Sequence, residues 1–213
     1  MKHALKTITE ISRALNRQHG KNPRLPSVIF ITDQGAVPSP EAVIRSLPKG
    51  AAVLFRDYHL TGREDLGSRL RGICQELGLI FLVGRDVGLA EHLDADGVHL
   101  PEAMVSSCGE VRKKHPRWLI TAAAHSAGAL RQAEEMGCDA ALLSPVFATK
   151  SHPQTLPQTL KAAELTLGIA GLNKICADTK LPVYALGGIN EDTAPLLLES
   201  DVVGLAAIRG FKN

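Results

Sequence analysis

The stretch "LPVYALGGINEDT" (residues 181–193) sets an apolar run of strand length against two adjacent glycines and an asparagine, with "APLLLES" behind them. A short apolar run without clean alternation reads as a strand buried on both faces, the habit of a parallel sheet. Asn190 stands where a helix cap is expected before the leucine-rich stretch. The segment is thus one strand–turn–helix unit. The fold follows from how often the chain repeats it.

Seven further runs share the character of this one, rich in β-branched residues and bounded by Gly, Pro, Asp or Asn. With it they occupy residues 27–33, 51–57, 79–84, 95–101, 118–125, 140–147, 181–188 and 202–208. Helical patterns lie between them. Residues 39–47 open with Ser39 as cap and Pro40 at the first helical position. Residues 62–77 place Leu66, Leu70, Ile73 and Leu77 on one face. Residues 87–93 are short, and 106–115 are polar enough for the surface. Residues 126–137 start at a Ser cap and stop at Gly137. Residues 156–175 form the longest pattern, and 190–200 follow the glycine pair.

Strand and helix alternate about eight times, which predicts an α/β protein built as a closed (β/α)8 TIM barrel. No GxGxxG follows the first strand to support a dinucleotide fold. The expected unit is one TIM-barrel domain over 1–213, with residues 1–22 as an N-terminal helical extension. The helix at 3–18 precedes the first strand, where it can cap the bottom of the barrel. Only "RGFKN" follows the last run, so the eighth helix is missing or vestigial, and the leading helix can fill that gap instead.

Composition removes several function classes. The 213 residues are 45% hydrophobic and 22% charged, with a net charge of +2. There is no basic stripe with aromatics, so no nucleic-acid partner is expected. No segment reaches a membrane span, and the charged N-terminus is no signal peptide, so a cytoplasmic protein without a membrane partner is expected. Cys74, Cys108, Cys138 and Cys176 are far apart and form no CxxC, which reads as reduced, structural thiols. No cluster suggests a metal ligand set. A homo-oligomer is compatible with all of this.

In a barrel the chemistry sits at the C-terminal ends of the strands. Gly187 and Gly188 let main-chain N–H groups approach a phosphate at the seventh strand, although a tight ligand-free turn explains them as well. Ile208 and Arg209 would supply the other half of such a cradle at the eighth. His125 ends the fifth run, where an imidazole can move protons near neutral pH or simply be held for structure. Thr149, Lys150, Ser151 and His152 crowd the loop after the sixth run, as an anion clamp or as an ordinary polar loop. Arg56 ends the second run, ready for a substrate anion or for an acid on a neighbouring strand. His99 on the fourth reads as a satisfied core or rim histidine. Thr32–Asp33 close the first.

The ordered series "FITD", "FLVGRDVGLA", "ADGVHLPE", "AAHS", "SPVFATKSHP", "YALGGIN" and "GLAAI" resembles the thiamine phosphate synthase family, which includes the thiazole tautomerases. The resemblance runs from about residue 28 to 209 and implies a role in thiamine biosynthesis or salvage, with a small phosphorylated thiazole or pyrimidine as substrate. It implies that Gly187, Gly188, Ile208 and Arg209 hold a thiazole phosphate. It also implies that Thr149 and Ser151 line the sixth loop, with His152 where synthases have Lys, and that His125 matches the proton shuttle of the tautomerases.

The synthase residues are less well kept. The second strand keeps Arg56 but lacks the Gln and Lys that flank it in synthases. The third reads Gly84–Arg85–Asp86, with the acid one position late. Met104 stands where a second magnesium-binding Asp is expected. A pyrophosphate leaving group commonly needs magnesium held by carboxylates. The first expectation is therefore a tautomerase-type isomerase that requires no cofactor. The second is a thiamine phosphate synthase using magnesium, with Asp86 or Glu102 substituting. The third is a non-catalytic binder of a phosphorylated thiamine precursor.

Overall fold

The structure is a computed structural model and describes residues 2–149 and 166–211. Eight parallel strands close into a barrel in chain order. They are β1 (Val28–Ile31), β2 (Ala52–Phe55), β3 (Ile80–Gly84), β4 (Gly97–Leu100), β5 (Leu119–Ala124), β6 (Ala140–Leu143), β7 (Val183–Leu186) and β8 (Gly204–Ala207). Each lies inside one of the eight apolar runs. The barrel closes between β8 and β1, where Val28 pairs with Leu205 and Phe30 with Ala207. The continuous apolar character of the runs has its reason here: nearly every strand residue is buried, one side chain facing the barrel interior and the next the helices outside.

The helices are α1 (Lys2–His19), α2 (Pro40–Ile44), α3 (Arg63–Leu77), α4 (Val87–His92), α5 (Cys108–Lys114), α6 (Ala127–Glu135) and α7 (Gly168–Cys176), with 3-10 segments at Glu102–Ser107 and Ala194–Glu199. Helix α1 lies against β8, β1 and the Ala194–Glu199 segment. It buries Ile8 and Leu15 completely, and the Asn16 amide donates to the Val203 carbonyl at 3.2 Å. No helix follows β8 among the described residues, and α1 covers the outer face that such a helix would cover.

Three local expectations change, and a fourth falls partly outside the described residues. Ser39 makes no capping bond, and α2 is only five residues long. The buried face of α3 is Leu66, Gly67, Leu70 and Cys74, while Ile73 and Leu77 are only partly buried. The first half of the long helical pattern at 156–175 lies outside the described residues, and α7 occupies most of the second half. The helix expected over 190–200 is instead a turn followed by a six-residue 3-10 segment. Asn190 does cap, but within that turn: its Oδ1 accepts from the N–H groups of Asp192 (2.9 Å) and Thr193 (3.0 Å). Ser126 is the cap that was expected, accepting from the Ala129 N–H at 3.1 Å.

With few aromatics available, the core uses them in pairs. Phe30 meets Phe211 edge-on at 5.6 Å between centroids, and Phe55 stacks on Phe81 at 6.0 Å. The buried Tyr184 hydroxyl donates to the Pro26 carbonyl. All four cysteines are buried free thiols. Among the described residues no helix is long and apolar enough to cross a membrane.

Candidate functional site

At the C-terminal mouth of the barrel, a cavity of about 420 Å³ opens between the ends of β2, β6, β7 and β8. Arg56, Thr149, Gly187, Gly188, Ile208 and Arg209, six of the residues singled out from the sequence, line it together with Ser144, Ile189 and Asn190. Ser151 and His152 lie outside the described residues.

The glycine pair makes the tight turn that the sequence allowed, and a neighbouring loop adds a second reason for it. Both glycines have positive φ, 97° at Gly187 and 68° at Gly188. The loop after β6 folds tightly against them. The Val146 N–H donates to the Leu186 carbonyl at 2.9 Å, and that of Phe147 to the Gly187 carbonyl at 3.0 Å. A Cβ on Gly187 would sit 2.9 Å from Pro145 Cα; one on Gly188 would sit 2.5 Å from the Ala148 carbonyl oxygen. Side chains are excluded there by backbone conformation and by a neighbouring loop, whatever ligand arrives.

The main-chain donors around the cavity are distributed unevenly. Those of Asn190, Asp192 and Thr193 are taken up inside the turn by the Thr193 hydroxyl and the Asn190 side chain. The N–H groups of Gly188, Ile189, Ile208 and Gly210 have no hydrogen-bond acceptor among the described residues. Main-chain donors that line one cavity suit an anion without needing a helix dipole.

Arg56 both lines the cavity and pairs with Asp33 at the end of β1, Nη2 to Oδ2. Around them, the buried Thr32 hydroxyl donates to Asp57 and accepts from the Arg56 N–H at 3.0 Å, while Asp57 also accepts from the Gln34 N–H at 2.6 Å. The acids at the ends of β1 and β2 thus fix the loop that carries Arg56.

His125 directly follows β5. It does not line the cavity, but Ala124, just before it, accepts from the N–H of the cavity residue Ser144 at 3.0 Å. Its Nδ1 lies 2.9 Å from Glu102 Oε2, on the 3-10 segment after β4. Both side chains are near half exposed, so this contact contributes little stability. What it fixes is the ring: with Nδ1–H donating to Glu102, the basic nitrogen of the neutral imidazole is Nε2. The sequence did not reveal Glu102 as this partner.

His99 lies in β4, with its Nδ1 2.9 Å from the Thr121 hydroxyl on β5. Burial, and then the charges of Arg56 and His125, lower its pKa to about 4. The folded state resists protonating His99, whereas the unfolded chain takes up that proton near pH 6.5. Its contribution to stability is full above pH 6.5 and is lost as pH falls toward 4, about 3 kcal/mol in all. Urea unfolding across this range should show that loss, and His99→Asn should flatten it.

The resemblance implies magnesium for the synthase reaction, and the donors at the rim of β3 and β4 do not fit it. Asp86 Oδ1 accepts from the Leu89 N–H at 2.9 Å as the cap of α4, and Oδ2 lies 3.3 Å from Arg63 Nη1. Arg85 and Met104 complete that side. Glu102 is committed to His125, and Asp33 to Arg56. Among the described residues no group of three His, Cys, Asp or Glu side chains is placed to hold a metal ion.

The family profile described as thiamine monophosphate synthase matches residues 28–211. A thiamine-phosphate synthase of Pyrococcus furiosus is 36% identical over 183 residues, covering 84% of this chain and 83% of that protein. One from Bacillus velezensis is 28% identical over 215 residues, covering 97% and 89%. The solved thiamine phosphate pyrophosphorylase from Pyrococcus furiosus superposes with a TM-score of 0.71 at 31% identity, covering 87% of this chain and 86% of that one. The YdjI aldolase of Escherichia coli K12 shares the fold alone, with a TM-score of 0.58 at 14% identity over 94% of this chain and 79% of that one.

Proposed function

The chain belongs to the thiamine monophosphate synthase family, and from that premise we propose that it is a metal-independent isomerase acting on a phosphorylated thiazole carboxylate. What supports this reading is the pairing of main-chain donors in the cavity at β7 and β8 with a carboxylate-held imidazole just after β5. Meanwhile every rim carboxylate named above is already committed within the protein.

In this reading the main-chain donors of Gly188 and Ile208, with Gly187 and Arg209 beside them, hold the phosphate. Arg56 and the loop from Thr149 to His152 hold the carboxylate. His125 Nε2 removes a proton from one ring carbon, leaving an anion delocalised over the ring and carboxylate. The same nitrogen returns the proton at another position. The ring double bond moves, and the ring gains or loses no atom or electron. Glu102 keeps the imidazole turned the right way and offsets its transient positive charge.

The names of the relatives favour a second reading, the thiamine phosphate synthase reaction itself, which joins a pyrimidine diphosphate to a thiazole phosphate and releases pyrophosphate. The same cavity would hold the thiazole phosphate in both. One experiment separates them. The purified protein is given the thiazole carboxylate phosphate in EDTA, and separately the pyrimidine diphosphate plus thiazole phosphate with magnesium, each followed by NMR. Isomerisation in EDTA with no thiamine phosphate supports the first reading. Thiamine phosphate formation alone establishes the second and ends the first.

A further inference from the structure

Two of the four buried thiols meet under α5, at the turn that leads from α6 into β6. Cys108 opens α5 and is fully buried; Cys138 follows Gly137, just before β6, and is 8% exposed. They are far apart in the chain, yet the Cys138 S–H donates a hydrogen bond to the Cys108 sulfur. Cys74, on α3, and Cys176, at the end of α7, have no thiol partner among the described residues.

Both sides of this contact are fixed by their neighbours. The Cys138 N–H donates to the Ala133 carbonyl at 3.0 Å, and that of Asp139 to the Ile120 carbonyl at 2.8 Å. One turn beyond Cys108, on the same face of α5, Arg112 reaches the same stretch of chain. Its Nη2 donates to Asp139 Oδ2 at 2.6 Å, and its Nη1 to the Trp118 carbonyl at 2.6 Å. Asp139 Oδ2 also accepts from the Ile120 N–H at 2.7 Å. The thiol contact and the ion pair are thus adjacent rungs between α5 and the entry to β6. A bond between the two sulfurs needs a short approach, not a new path for the chain.

The pair also differs chemically from the other two thiols. Burial pushes Cys74 up to about 12 and Cys176 up to about 11, where both stay protonated and inert. Cys108 is instead lowered: the hydrogen bond from Cys138 outweighs burial, and the charge of Arg112 adds to it. The same hydrogen bond raises Cys138. One sulfur is biased toward thiolate with a second thiol in contact, the arrangement of a reactive cysteine and its resolving partner.

We propose that Cys108 and Cys138 form a reversible redox pair, closed to an intramolecular disulfide by a peroxide-class oxidant small enough to enter at the exposed edge of Cys138. The Cys108 thiolate attacks one peroxide oxygen, the O–O bond breaks, and the sulfur becomes a sulfenic acid. The Cys138 sulfur then displaces that oxygen, the S–S bond forms, and the two thiol protons leave in the water produced. Two thiols and one hydrogen peroxide give one disulfide and two waters, with two electrons passing from sulfur to oxygen. A thiol reductant reverses the bond. None of this depends on which reaction the barrel mouth catalyses.

The test treats the reduced protein with hydrogen peroxide, unfolds it in an alkylating agent and maps it by mass spectrometry. Free thiols should fall from four to two, with a link joining Cys108 to Cys138 and dithiothreitol restoring all four. Closing a loop of roughly 30 residues should raise the melting temperature by about 5–10 °C. In Cys138→Ala the sulfenic acid has no resolving partner, so Cys108 should take up dimedone, which the unsubstituted protein does not. If that variant fails to fold, the map of the unsubstituted protein decides alone. Four thiols persisting under peroxide that oxidises the unfolded chain would overturn the proposal. So would a link to another cysteine or another chain, sulfinic acid at Cys108 without the link, or an oxidised protein that melts no higher than the reduced one.

Discussion

Replacing His125 with alanine is expected to lower isomerase turnover by about 10²–10⁴-fold, the usual contribution of a positioned general acid–base group. KM should change little, because phosphate and carboxylate are held by other residues. Stability should also hold, since the ring is near half exposed and its pair with Glu102 contributes little. Glu102→Gln should cause a smaller loss and a shifted pH–rate profile, because it alters the hydrogen bond that sets the tautomer and leaves the ring in place. Steady-state kinetics in EDTA across pH 5–9 measures both effects. Unchanged turnover in His125→Ala would remove this residue from the mechanism and, with it, the chemical half of the proposed function.

The second large effect belongs to Gly188→Ala. A side chain there combines a left-handed backbone with a contact of 2.5 Å to the Ala148 carbonyl oxygen. Strain and overpacking together should cost about 2–5 kcal/mol. That lowers the melting temperature by about 5–15 °C for a chain of this size. The Ala148 segment would also be pushed out of the cavity wall, so thiazole phosphate binding should fall in the same variant. Gly109→Ala is the control: it lies on α5 with nothing within 4 Å of the added carbon, and should leave the melting temperature the same or slightly higher. Scanning calorimetry with a binding titration separates two accounts of the glycines. If they served only ligand approach, binding would fall and the melting temperature would not.

The barrel was legible because parallel strands buried on both faces leave continuous apolar runs, and eight such runs at regular spacing admit few other topologies. Positions at strand ends were legible for the same reason: Arg56, His125 and the glycine pair all stand where a run stops. Partners were not. Asp33 reaches Arg56, and Glu102 reaches His125, across 23 residues in each case. Such contacts depend on which strands become neighbours and on the path of each loop. Asn190 was expected to cap a helix, but the side chains of Asn190 and Thr193 instead close a turn that delays the 3-10 segment beyond Thr193. Arg63 gave no signal at all, since an arginine in the first turn of an amphipathic helix is ordinary until tertiary structure folds it over Phe55 and Tyr58. Nor did the sequence reveal that the loop after β6, as much as any ligand, demands glycine at 187 and 188.

The central claim is that a thiazole phosphate is held by main-chain nitrogen where β7 and β8 end. A crystal structure of the protein soaked with thiazole phosphate in the presence of magnesium tests it most directly. The account predicts phosphate oxygens at about 2.7–3.2 Å from the backbone nitrogens of Gly188 and Ile208, with no metal ion between phosphate and protein. A phosphate seated elsewhere, or a divalent ion bridging it to Asp86 or Glu102, would contradict it.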